Sequence, residues 1–250
     1  MIAEPFAQGS SLLHRLDPRI RVVAAAALSV VVALSSQFAT LAIALAAGLV
    51  LITLARLPMG AVAGRLSVVA GFLLLLWLVL PFSLGGAPLV KLGPLTATRE
   101  GAAYAGRISL KSIAIMSIFL ATVTTMSVAT LGHTLACLRL PDKLIVLLLL
   151  TYRYVFVLEQ EYQRLKRAAD IRGFRPGTNL HSYRTYAYLV GMLLVRASAR
   201  ARRVYLAMCC RGFSGRFYTL ADLSPVPHNL PFALILGGLG CLLLYLELSL

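Results

Sequence analysis

From residue 38 to 54, and again from 66 to 84, the chain runs without a charged side chain. Such runs approach the ~20 apolar residues that an α-helix needs to cross a bilayer. Five stretches read as spans: 20–36, 38–54, 66–84, from 107 or 108 to 131, and 231–248. A water-soluble domain of 250 residues would not carry 59% hydrophobic and only 13% charged side chains. The fold class that follows is an all-α membrane protein with about five transmembrane helices. Asp17 followed by Pro18 marks the first helix start, an N-cap and a residue suited to the first turn. Pro81 is expected to kink or end the third span, and 85–106 reads as a long loop rich in glycine, proline and threonine. Glu247 stands at the far end of the last span, where an interfacial position is cheap.

The net charge of +15 would suggest nucleic acid in a soluble protein. Here its distribution gives a better explanation. Between His133 and His228 there are 15 Lys or Arg against five Asp or Glu, and the first arm adds Arg15, Arg19 and Arg21. Arg56 and Arg65 enrich the short loop after the second span, whereas the opposite side holds Lys91, Arg99, Arg107 and Lys111. Basic loops stay in the cytoplasm. The expected topology therefore has a cytoplasmic N-terminus, with no nucleic-acid partner and no cleavable targeting signal. Three regions are expected: 1–131 as arm and spans one to four, 132–227 as a cytoplasmic domain of long crossed helices, and 228–250 as the last span.

The cytoplasmic region carries one short signature twice. Ala169-Asp170-Ile171-Arg172-Gly173-Phe174 closes one long amphipathic run, and Met208-Cys209-Cys210-Arg211-Gly212-Phe213 closes the next. Glycine beyond a helix end takes the left-handed conformation that caps the last turn, and a basic residue there suits the negative end of the helix dipole. Each signature thus presents a cation at the tip of a stiff rod. Phe174 and Phe213 either tuck back on their own helices or fill a partner's groove. Small residues in the second rod, Ala197, Ser198, Ala199 and Ala201, allow another helix to approach closely.

Other chemistries find little support. The residues 142–211 contain no catalytic motif, and the chain has no Gly-x-Ser-x-Gly, His-Glu-x-x-His or Gly-Lys pair, so no phosphate-binding P-loop. Cys137, Cys209, Cys210 and Cys241 form no Cys-x-x-Cys pair, and His14, His133, His181 and His228 are widely separated. No metal site is expected in this chain. A self-sufficient carrier or channel is the alternative reading, and Lys111 is its best candidate residue, although a snorkelling side chain accounts for it as well.

The paired motifs resemble the two Ala-Arg-Gly signatures of the transmembrane T component of energy-coupling factor transporters. Leu13-His14-Arg15-Leu16-Asp17-Pro18-Arg19 resembles that family's N-terminal signature, and Thr151-Tyr152-Arg153-Tyr154-Val155-Phe156 is similar to its cobalt-type members, the CbiQ family. Ile171 and Cys210 stand where the family usually has alanine. The resemblance implies a non-catalytic coupling subunit in a bacterial cytoplasmic (inner) membrane. It further implies docking of Ile171, Arg172 and Gly173, and of Cys210, Arg211 and Gly212, onto two ATPases of the CbiO type. Phe174, Phe213, Ala197 and Ala201 would support those helices. A separate substrate-binding subunit of the CbiM type, with a small CbiN-type subunit, would hold the cobalt ion. ATP and Mg would sit on the ATPases, with no cofactor in this chain.

Overall fold

The computed structural model describes residues 13, 16–83, 85, 88–92, 95–215, 217 and 229–249. Most of the expected N-terminal arm, including His14 and Arg15, and the break Pro225-Val226-Pro227 with His228 lie outside the described residues. The described chain is helical apart from one antiparallel hairpin, β1 (Pro88–Leu92) and β2 (Leu95–Thr98). Two compact units divide it. Of the described residues, one holds those up to 127 and from 229 on, the other those from 128 to 217.

The first unit contains α1 (Pro18–Leu34), α2 (Phe38–Leu54), α3 (Met59–Ser83), the hairpin, α4 (Arg99–Thr122) and α8 (Asn229–Ser249). Asp17 caps α1 by accepting a hydrogen bond from the Arg19 amide at 2.9 Å, and Pro18 is the first helical residue. Among the described residues, three helices are long and apolar enough to span a bilayer: α3, α4 and Pro231–Leu248 of α8. The other two expected spans, α1 and α2, have 17 residues each, the lower end of the range for a span. Val68, Phe72, Leu74 and Leu78 of α3 are well exposed. An apolar helix with an apolar outer face is what lipid hydrocarbon accommodates. Pro81 neither ends nor leaves α3, which runs on to Ser83.

The fourth span departs from its expected limits at both ends. Its start lies eight residues earlier than 107, at Arg99, because Thr98 accepts from the Gly101 amide at 3.3 Å and Glu100 occupies the favourable first turn. The expected loop 85–106 is thereby corrected to a hairpin and the first two turns of α4. The helix ends at Thr122, before a separate α5 (Val128–Cys137). Hydroxyls of Thr122, Thr124 and Thr125 bond carbonyls four residues back, which competes with continuation of a regular helix.

α4 packs against α1, α2 and α3, and α8 against α1 and α2. Close approach depends on glycine. A Cβ at Gly48 would lie 2.9 Å from Ser117 Cβ, and one at Gly101 would lie 2.8 Å from the Leu80 oxygen. Leu28, Leu41, Ala44, Ile118 and Leu243 fill the space between these helices. One buried cation closes the bundle. Arg21, 2% exposed, donates through Nε (3.1 Å) and Nη2 (2.8 Å) to the Thr122 carbonyl, and also to Thr125 Oγ1. That carbonyl belongs to the last turn of α4, where no intrahelical donor is left. At the other end of α1, Lys111 Nζ donates to the Ala33 carbonyl at 2.9 Å. Glu247 likewise accepts from Ser36 N (2.8 Å), Ser36 Oγ (2.7 Å) and Thr40 Oγ1 (3.1 Å), joining α8 to the α1–α2 turn.

The second unit contains α5, α6 (Asp142–Ile171) and α7 (Leu180–Cys210). α5 meets α6 at Gly132, where an added Cβ would fall 2.6 Å from Leu149 Cδ2. α6 and α7 are in contact, and at 30 and 31 residues they are the longest elements among the described residues.

Candidate docking site: two like helix ends

Both signatures fold into the same turn. Arg172 is the C-cap of α6, followed by Gly173 at φ +81°, and Arg211 is the C-cap of α7, followed by Gly212 at φ +81°. The amide of Phe174 donates to the Ala169 carbonyl at 3.1 Å, and that of Gly173 to the Asp170 carbonyl at 3.0 Å. In the second copy Phe213 donates to Met208 and Gly212 to Cys209, both at 3.0 Å. This double pattern is the Schellman cap, in which a left-handed residue returns two amides to otherwise unpaired carbonyls. The arginine side chain leaves from a backbone that these bonds hold in place. Arg172 and Arg211 are both exposed, as are Ile171 and Cys210.

The phenylalanines are half-buried and differ in their partners. Phe174 packs against the rings of His181 and Tyr186 at the start of α7, at 6.3 and 5.6 Å between centroids. Phe213 instead meets Phe217 at 5.3 Å. Phe174 therefore ties the end of α6 to the beginning of α7. Arg211 stands at the other end of α7, whose 31 residues make a straight helix ~46 Å long. Arg172 lines a groove with Tyr188, Met192 and Arg196 of α7, so the stretch of α7 beyond Arg196, ~22 Å long, enters the spacing between the two arginines.

A second tie joins the rods between their ends. Glu161 of α6, with its side chain 11% exposed, is bonded to Arg196 of α7, and Arg200 (3.8 Å) and Arg164 (3.7 Å) lie close by. The hydrogen bond from Arg196, reinforced by the charges of Arg196, Arg164 and Arg200, holds the Glu161 carboxyl below its ordinary value despite the opposing effect of burial. The sequence shows Glu161 as one of several polar residues on α6, and its pairing across helices was not foreseen. The available signal is Arg196 and Arg200, one turn apart on α7, opposite a rod with few acids. Ala197 lies half-buried beside this contact, whereas Ala201 is exposed.

Near the first motif a groove of about 540 Å³ is lined by Arg172, Phe174, His181, Tyr188, Met192 and Arg196. It offers a guanidinium beside aromatic and apolar walls, which suits an acidic side chain from a partner. Among the described residues no group of three His, Cys, Asp or Glu could hold a metal ion. Lys111, the alternative reading's candidate, is engaged with a helix-end carbonyl.

The helices and their paired caps define the class: an all-α membrane protein presenting two like cationic turns on a pair of amphipathic rods. Residues 9–219 match the family model described as CbiQ, cobalt transport protein, and the chain belongs to that family of transport proteins. It is 28% identical to the energy-coupling factor transporter transmembrane protein EcfT of Listeria innocua over 86% of this chain and 85% of that protein. It is 31% identical to the cobalt transport protein CbiQ of Rhodobacter capsulatus over 59% of this chain and 61% of that one. An uncharacterised protein of Methanocaldococcus jannaschii is 25% identical over 86% of the chain and 81% of its own length.

Proposed function

We propose that this chain is the coupling subunit of an ATP-driven importer of the energy-coupling factor type, with cobalt as the transported ion. Residues 132–227 form its cytoplasmic coupling part, while 1–131 and 228–250 sit in the cytoplasmic membrane with the N-terminus inside. Arg172 and Arg211 each insert into an acidic groove of one of two ATPases. Nucleotide binding and hydrolysis, with Mg, take place on those partners, and a separate membrane subunit holds the ion. Ile171, Gly173, Cys210 and Gly212 shape the two docking turns.

The observation that carries this reading is the identical Schellman geometry at two exposed arginines on the ends of tied helices. A guanidinium fixed by its backbone makes directional, paired bonds to a carboxylate. A stiff helix between two such contacts turns a change in the distance between ATPases into a movement of the rods. Cobalt as cargo is supported by the family and by the Rhodobacter relative's name.

The test is co-purification. The wild-type chain retains a nucleotide-binding subunit through detergent extraction, and Arg172→Glu with Arg211→Glu releases it. Retention by the double variant refutes the docking role. Substrate uptake by this chain alone in liposomes would favour the carrier reading.

A further inference from the structure

A groove of about 520 Å³ runs between α1 and α8, with Val23, Ala27 and Val31 on one wall and Leu236, Gly237 and Leu244 on the other. The two helices run in parallel, since Glu247 at the end of α8 meets Ser36 just after α1. Glycine and alanine keep the groove open. A Cβ added at Gly237 meets nothing within 4 Å, and one at Gly240 meets only Leu28, at 3.6 Å. At the mouth stands Arg19, whose Nε is buried and has no hydrogen-bond acceptor. An apolar slot of this kind closed at one end by a buried, unanswered donor calls for a molecule with a tail and an anionic acceptor.

We infer that the groove binds one anionic phospholipid, with an acyl chain between α1 and α8 and its phosphate on Arg19. Dimensions agree with this. From Arg19 to Val31 the groove follows α1 for twelve residues, or ~18 Å, against ~15 Å for one leaflet of a ~30 Å hydrocarbon core. Charge agrees as well, because Arg19 lies at the basic end of α1, and anionic headgroups gather at such sites. A partner helix fits less well. It would have to supply an acid at the depth of Arg19, whereas every anionic phospholipid carries its charge at the interface. The inference does not rest on the coupling role, only on α1 ending at a membrane surface.

Native mass spectrometry of the detergent-purified full chain, titrated with phosphatidylglycerol or phosphatidylcholine, tests it. The wild type should hold one phosphatidylglycerol about fivefold more tightly than phosphatidylcholine, the preference expected of one basic residue at the interface. Arg19→Gln should abolish that preference and Arg19→Lys restore it, with the tail still bound in both. Gly237→Leu, which fills the slot, should release both lipids. Equal binding of the two lipids by the wild type overturns the inference. So does undiminished lipid binding by Gly237→Leu; loss of a co-purified membrane partner by that variant, with lipid binding unchanged, would make the groove a helix-docking surface instead.

Discussion

Glu161 on α6 and Arg196 on α7 are bonded across the two longest described helices, eleven and fifteen residues before the arginines that close them. The pair sits where it can fix the angle between the rods, with Arg196 also lining the groove beside the first docking turn. Arg164 and Arg200 keep the carboxylate surrounded by positive charge.

Loss of that carboxylate should loosen the rods while leaving their ends capped. In Glu161→Gln, hydrogen exchange should rise in the middle of α6 and α7, and transport per ATP hydrolysed should fall by more than ATPase binding does. Unchanged exchange would show that packing alone sets the angle.

The same pair predicts an acid limit. Because Arg196 lowers the carboxyl's pKa in the folded protein, its contribution is complete above the ordinary carboxylate range and is lost as pH falls through the lowered value. The difference in exchange between wild type and Glu161→Gln should therefore be constant from neutral pH down to mildly acidic pH, and then shrink.

Gly173 and Gly212 have open space around their Cα atoms, so alanine there meets no clash and bears only the left-handed backbone penalty. That penalty is about 1–2 kcal/mol, or roughly tenfold in an opening equilibrium. The amides of Phe174 and Phe213 should exchange faster by about that factor in Gly173→Ala and Gly212→Ala respectively. Asparagine, which tolerates positive φ, should do less harm.

Inserting four alanines in the exposed stretch of α7 after Arg203 would lengthen the helix by ~6 Å and turn its end by ~40°. Each motif would survive, yet the spacing between them would not. Binding of a single ATPase should persist while assembly of the pair fails, read as the mass of the purified complex.

Arg21→Met removes the donors to Thr122 and Thr125 from a buried site. A hydrogen bond from a charged group contributes about 1.5–3 kcal/mol, so thermal unfolding followed by Trp77 fluorescence should shift down accordingly. An unchanged midpoint would place the closure of the α1–α4 contact in apolar packing.

The sequence made much of this visible, for local reasons. Phe38–Leu54 is bounded by residues that end the apolar run, and Asp17-Pro18 and both Arg-Gly-Phe turns are encoded within a few positions. Contacts between distant residues left no such mark. Arg21 looks like one more basic residue of the N-terminal arm until α4 ends beside it, 101 positions away. Glu161 finds Arg196 only after α6 and α7 are laid together. The first two turns of α4 hold the charged pair Arg99-Glu100 and then mostly glycine and alanine, which read as loop by composition, whereas the Thr98 cap decides where the helix begins.

The most direct test of the central claim is ATP-dependent cobalt uptake into liposomes holding this chain, its ATPases and its ion-binding membrane partner, with Arg172→Glu and Arg211→Glu singly and together. The coupling account predicts that each single change weakens uptake, and that the double change abolishes it while the membrane helices stay folded. Full uptake by the double variant would contradict it.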